Sequence, residues 1–246
     1  MKLKNNMTRT NITIPTANNE KLKGFDLRDE SFTGKRPVVL VLHGWTSSTR
    51  RFPERIDPLI KMGYVCVMFD MRGHGNTGYE LAKYSRKDHL DDCLAAYDYI
   101  SKLENVDTDN ISVLGSSYGG YMAVLVTEKR PVKNLILLAP AQYQNEMFTE
   151  PQLTQDENER RQYRLQHHTP EDNHALAVIH NFKGKILLIQ PELDEQVPAQ
   201  VTSDYLEAMT ADYSHKIIKG ADHSFYNGDT NQQMISEIEK WFRKNI

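Results

Sequence analysis

Short aliphatic runs alternate with longer stretches of helical spacing along most of this chain, and that alternation restricts the fold more than any other feature. The run Val38-Val39-Leu40-Val41-Leu42 contains no polar residue. A strand can be apolar on both faces only where both faces are covered, as in a parallel sheet with helices on either side. Arg51–Met62 follows as a helix that Gly63 ends. Tyr64–Phe69, Ile111–Leu114, Leu135–Leu138, Lys185–Ile189 and His215–Ile218 read as further strands. Asp88–Leu103, Tyr118–Glu128, Ala199–Met209 and Gln232–Phe242 read as helices. Two earlier runs, Asn11–Ile14 and Lys21–Leu27, read as edge strands of a meander. The pattern predicts an α/β fold with a mostly parallel central sheet of about eight strands and helices on both faces.

A length of 246 residues suits one such domain, spanning 1–246. The net charge of -3 gives no electrostatic case for nucleic acid or an anionic membrane surface. The N-terminus is basic but lacks a following apolar segment, so no secretory signal is expected. No apolar run approaches the roughly 20 residues of a membrane span. A cytoplasmic protein is the expectation. Cys66 and Cys93 read as reduced core thiols, and no zinc spacing is present. Ala141–Gly184 interrupts the alternation with a long polar stretch. Connections of that length usually carry elements of their own, such as a helix over Asp156–Leu165, and fold over a site as a cap.

Chemistry concentrates at Gly115-Ser116-Ser117-Tyr118-Gly119, which matches G-x-S-x-G. An apolar strand precedes it and a helical stretch follows, the context of a nucleophile elbow. The turn is too tight for side chains two positions either side of the nucleophile, hence Gly115 and Gly119. Ser117 is the candidate nucleophile, because Ser116 lacks that glycine spacing. A serine hydroxyl needs a base to take its proton. His223 follows the last strand and precedes the last helix, at the sheet edge where Ser117 is expected. Of the other histidines, His89 opens a helix, His167 and His168 lie in the insertion, and His215 begins a strand. The base needs a carboxylate to hold its tautomer. Glu192, Asp194 and Glu195 compete, and Asp194 has the reach to turn inward before Val197-Pro198. The order Ser–Asp–His fits the fold. Oxyanion donors are expected from the backbone N–H groups of Trp45, after Val38–Leu42, and of Tyr118. His43 reads as a ring that hydrogen-bonds its own loop.

Together these residues resemble the α/β-hydrolase superfamily, from His43-Gly44 through Asp70-Met71-Arg72-Gly73-His74-Gly75 to Asp194 and His223. Gly115-Ser116-Ser117-Tyr118-Gly119-Gly120-Tyr121-Met122 resembles the elbow of the prolyl-oligopeptidase group. The size and the insertion after Pro140 resemble small bacterial esterases of the feruloyl/cinnamoyl type. The resemblance implies hydrolysis of a small-molecule ester through an acyl-enzyme, without cofactor or metal. It also implies a cap over residues 141–184. Pro191 stands where the family often has glycine before the acid. No β-propeller precedes the catalytic part in this chain, so esters are expected ahead of peptides. Amide, peptide or thioester hydrolysis with the same residues is the alternative, and a non-catalytic binding module is the rival of another class. Tyr143, Met147, Phe148 and Tyr163 either line the substrate pocket or pin the cap. His167, His168, His174 and His180 read as solvated cap residues rather than metal ligands. The sequence does not speak to oligomeric state.

Overall fold

In the computed structural model, residues 6–75, 77–151, 154 and 156–245 are described. The expectation for the N-terminal leader residues Met1–Asn5 lies outside them, as does Asn76 in the glycine-rich loop. The strands are β1 (Met7–Pro15), β2 (Lys21–Asp29), β3 (Arg36–Leu42), β4 (Val65–Phe69), β5 (Val106–Ser116), β6 (Asn134–Leu138), β7 (Lys185–Leu193) and β8 (Tyr213–Asp222). They form one eight-stranded sheet in the order β1-β2-β4-β3-β5-β6-β7-β8. The pairings β1–β2 and β2–β4 are antiparallel and the other five are parallel. The α/β fold with a mostly parallel sheet is therefore as expected. One detail differs: β1 is an edge strand, but β2 is hydrogen-bonded on both sides.

Seven helices are described: α1 (Pro53–Lys61), α2 (Arg86–Ile100), α3 (Tyr118–Lys129), α4 (Glu157–Leu165), α5 (His174–Asn181), α6 (Ala199–Ala208) and α7 (Gly228–Lys244). They cover both faces of the sheet. Successive residues of β3 point to opposite faces. Val38, Leu40 and Leu42 pack in one apolar layer with Tyr97, Met122 and Leu176. Val39 and Val41 pack in the other, with Ile56, Trp241 and Phe242. Cys66 and Cys93 are free and buried. No helix among the described residues is long and apolar enough to cross a membrane.

Three boundaries depart from the sequence reading for local reasons. β5 begins at Val106, because the polar residues Asp107–Asn110 hide its first half and a register shift against β3 accommodates them. β8 runs from Tyr213 to Asp222 as a largely exposed edge strand, so it lacks a continuous apolar core. The stretch after β6 contains α5 as well as α4. Asp156 caps α4, accepting from the amides of Asn158 and Glu159 at 2.9 Å each. Asn173 caps α5 by accepting from Leu176 N at 3.1 Å. α5 packs against α3 and α6, and α4 against α6.

The loop after β4 is fixed by a buried ion pair. Arg72 Nε donates to Asp92 Oδ1 at 2.7 Å, and its amide donates to Asp92 Oδ2 at 2.9 Å. Nη1 reaches Glu20 Oε2 at 2.6 Å and Nη2 reaches the carbonyl of Asp88 at 2.8 Å. This ties the turn before β2, the loop and α2 together. Removing one member of a buried pair leaves the other charge poorly compensated. Asp92→Ala is expected to lower the unfolding free energy by about 3–5 kcal/mol. Urea titration checks this, with an unchanged slope showing that the effect is on stability alone.

Candidate active site

The parallel register brings the carboxyl ends of three strands level. Leu42 of β3 lies beside Gly115 of β5, and Ser116 lies beside Leu138 of β6. β5 ends in a sharp turn into α3, with Ser117 at its apex. Ser117 has φ 54° and ψ -115°, a strained conformation for any residue with a side chain. Its amide donates to Leu138 O at 2.8 Å, and its carbonyl accepts from Gly120, Tyr121 and Ala141. The flanking glycines are required by space. A Cβ on Gly115 would stand 2.1 Å from Gly119 O, and one on Gly119 would stand 2.2 Å from Leu42 O.

The loop after β8 brings in His223, and the loop after β7 brings in Asp194. His223 Nε2 lies 2.9 Å from Ser117 Oγ, and Nδ1 lies 2.7 Å from Asp194 Oδ2. In the neutral ring the Nδ1–H donates to the carboxylate and Nε2 accepts from the hydroxyl. The other carboxylate oxygen, Oδ1, accepts from the amides of Gln196 at 2.9 Å and Val197 at 2.8 Å. These bonds fix the carboxylate before it touches the ring. Of the two competing acids, Glu192 instead accepts from Gly220 N at 2.8 Å, and Glu195 is exposed. Pro191 is buried within β7, and the pairing with β8 shifts register between Pro191 and Leu193, just before Asp194.

The amides of Trp45 and Tyr118 form no hydrogen bond among the described residues. Tyr118 opens α3, where first-turn amides lack intrahelical partners and favour negative charge. Trp45 follows Gly44, whose added Cβ would lie 3.5 Å from Ser117 Cβ. The loop after β3 therefore runs directly against the candidate nucleophile. His43 holds that loop, as its residue type and place suggest. Its Nδ1–H donates to Gly44 O at 2.8 Å, and its Nε2 accepts from Met71 N at 3.1 Å. Burial pushes its pKa below the ordinary value.

His89 does more than open a helix. It is fully buried, its Nε2–H donates to Arg72 O at 2.9 Å, and its Nδ1 accepts from the Tyr118 hydroxyl at 2.7 Å. Burial lowers its pKa to about 4. His74 is lowered to about 2, first by burial and then by the neighbouring His43. The rings of His74, His89 and Trp45 pack edge to face, as do those of Trp45 and Tyr118 at 5.3 Å. This cluster supports the loop after β3 from beneath.

A cavity of about 280 Å³ opens beside Ser117. Trp45, Tyr143, Val197 and the cap residues Arg160, Arg161 and Arg164 line it, with Glu157, Glu195 and Gln196. Of the four residues that the sequence offered for the pocket, only Tyr143 reaches it. Phe148 packs against the core instead. The Tyr163 hydroxyl accepts from Asn173 Nδ2 at 2.8 Å, and its ring stacks on His168 at 4.0 Å. Neither lines the cavity; each packs within the protein instead. Met147 is partly buried and is not among the lining residues. The arginines escape sequence reasoning, since Glu-Arg-Arg on a polar helix reads as a solvated face. Among the described residues no group of three His, Cys, Asp or Glu is placed to hold a metal.

A family model described as the prolyl oligopeptidase family matches residues 50–246. A probable dipeptidyl-aminopeptidase B from Neurospora crassa is 24% identical over 198 residues, covering 73% of this chain and 20% of that protein. The chain thus spans about a fifth of the length of this curated relative. Est1E from Butyrivibrio proteoclasticus, with ferulic acid bound, superposes with a TM-score of 0.76 at 19% identity. That match covers 95% of this chain and 98% of Est1E. Dipeptidyl peptidase 4 from Porphyromonas gingivalis superposes with a TM-score of 0.73 at 24% identity, covering 97% of this chain and 35% of the peptidase. Both superpositions speak to the fold. With most of its length matched by the family model, the chain belongs to the prolyl oligopeptidase family, and so to the serine hydrolases of the α/β-hydrolase superfamily.

Proposed function

We propose that this chain hydrolyses carboxylic esters of small molecules through an acyl-enzyme. The observation that carries the reading is the continuous relay from Ser117 Oγ to His223 at 2.9 Å and on to Asp194 at 2.7 Å. Ser117 Oγ attacks the ester carbonyl while its proton passes to His223 Nε2. Asp194 keeps the second ring proton on Nδ1 and stabilises the imidazolium. The carbonyl oxygen becomes an oxyanion that the amides of Trp45 and Tyr118 receive. Collapse breaks the bond to the alkoxide, which takes the proton from Nε2 and leaves as alcohol. Water then gives a proton to His223 Nε2 and its oxygen to the acyl carbon, and collapse breaks the bond to Ser117 Oγ, which takes that proton back as the acid leaves.

Three features support esters. The cavity of about 280 Å³ is at the small end of ligand pockets and suits a compact substrate. α4 contributes to its lining, as a cap over 141–184 would. Est1E, superposable along nearly its whole length, carries a ferulic acid, the kind of product an ester releases. Amide hydrolysis is the second reading, favoured by the dipeptidyl-aminopeptidase relatives. The same relay can protonate a departing amine.

Matched p-nitrophenyl esters and aminoacyl p-nitroanilides separate the two. The expected result is faster ester turnover with a burst of p-nitrophenol, and faster anilide turnover would establish the second reading. A fluorophosphonate probe should label the native protein at Ser117, and Ser117→Ala should abolish labelling while the fold persists; an unlabelled native protein would point to a binding module. Asp194→Asn is expected to lower kcat by up to about 10,000-fold by favouring the wrong tautomer, whereas Glu195→Gln changes it little. Steady-state kinetics on the preferred ester reads both variants.

A further inference from the structure

The helix α4 places three guanidinium groups over the candidate nucleophile. Arg160, Arg161 and Arg164 line the same cavity as Ser117. Arg160 and Arg164 are four residues apart and so share one helix face. Arg164 is buried. Its Nε donates to Gln142 O at 3.0 Å and its Nη1 to Gln196 O at 3.4 Å, while its Cζ lies 4.7 Å from the centre of the Tyr143 ring. These contacts hold the guanidinium plane in one orientation. All its protein acceptors are neutral carbonyls, and Nη2 forms no hydrogen bond among the described residues. The guanidinium groups of Arg160 and Arg161 form no ion pair or hydrogen bond among the described residues either.

A buried cation without a counter-anion is unfavourable, and the cation–π contact with Tyr143 offsets only part of that. Glu157 and Glu195 also line the cavity, but both are exposed and neither pairs with these arginines. The cavity wall therefore carries three cations against two carboxylates, in a chain whose overall charge is -3. A planar fork with a free edge matches a carboxylate, which can accept two parallel N–H bonds.

We propose that the substrate of this site carries a carboxylate away from the scissile bond, received by Arg164 and Arg160 with Arg161 at the mouth. This rests on the serine-hydrolase reading of Ser117 and holds for ester or amide alike. The carboxylate belongs to the acyl part or to the leaving group, and the two attachments are separable with covalent probes. One pair of ethyl fluorophosphonates bears, on phosphorus, an alkyl chain ending in a carboxylate or in the isosteric primary amide. A second pair bears the same chains on the ester oxygen. In each, Ser117 Oγ forms the bond to phosphorus, fluoride leaves, and the serine proton passes to His223. Intact mass of the full chain follows inactivation.

The carboxylate probe is expected to inactivate about 10- to 100-fold faster than its amide twin in one of the two pairs. That advantage should fall to about threefold or less in the double variant Arg160→Gln/Arg161→Gln, and should shrink as salt rises to about 1 M. The guanidinium groups of these two arginines form no hydrogen bond or ion pair among the described residues, so the double variant should stay folded even where Arg164→Lys does not. Carboxylate probes that react no faster than the amides in either pair overturn the inference. So does an advantage that survives both the double variant and salt. If none of the four probes labels Ser117, the serine-hydrolase reading itself fails and takes this inference with it. Labelling by the amides alone leaves that reading intact and refutes only the carboxylate.

Discussion

The turn at Ser117 closes only because the backbone of Gly119 lies against the carbonyls of Leu42 and His43. A Cβ there would stand 2.2 Å from the first and 2.6 Å from the second. That contact ties the end of β3 to the start of α3 and brings the Gly44–Trp45 loop beside the hydroxyl. The strain of φ 54° at Ser117 is held by the bond from its amide to Leu138 and by three donors to its carbonyl. The parallel register of β3, β5 and β6 is what makes those partners available. The sheet is thus the device that fixes the hydroxyl, and the flanking loops deliver the groups that act on it.

Around this turn the protein buries imidazoles that stay neutral. His43, His74 and His89 all have pKa values pushed down, chiefly by burial. Neutral rings can donate at one nitrogen and accept at the other, which is how His43 and His89 each join two elements. His89 connects the Tyr118 hydroxyl to the carbonyl of Arg72, whose side chain is locked by Asp92. A polar network therefore runs from α2 through the loop after β4 to the first residue of α3. Arg72, Asp92 and His89 themselves form no hydrogen bond with the Ser117 hydroxyl among the described residues. They buttress Tyr118, the residue that follows Ser117.

The parts of this arrangement that show in the sequence are those where one residue type is the only physical solution. Gly115 and Gly119 are required by steric contact, and β3 and β6 are continuous apolar runs because both faces are covered. Ser117, His223 and Asp194 are singled out by their place at strand ends. What stays hidden depends on tertiary contact. The first half of β5 is polar, α5 is eight residues inside a charged stretch, and β2 is internal although its sequence looks like an edge. Tyr163 and Phe148 have the composition of pocket residues, but their partners, His168, Asn173 and the core, lie far along the chain. No periodicity separates an aromatic that meets a ligand from one that holds a cap.

The arginines of α4 are the sharpest case of that limit. In sequence, Arg160-Arg161 within Glu-Asn-Glu-Arg-Arg-Gln looks like the solvated side of a polar helix. In space, Asp156 sets the start of that helix, Tyr163 anchors it through Asn173, and Arg164 is drawn beneath it onto Tyr143. The Tyr143 ring, which lines the cavity, also packs edge to face on Tyr118. One ring thus contacts both Tyr118, next to Ser117, and the Arg164 guanidinium in the cavity wall. The wall of the cavity and the turn at Ser117 are thereby joined through a single buried ring.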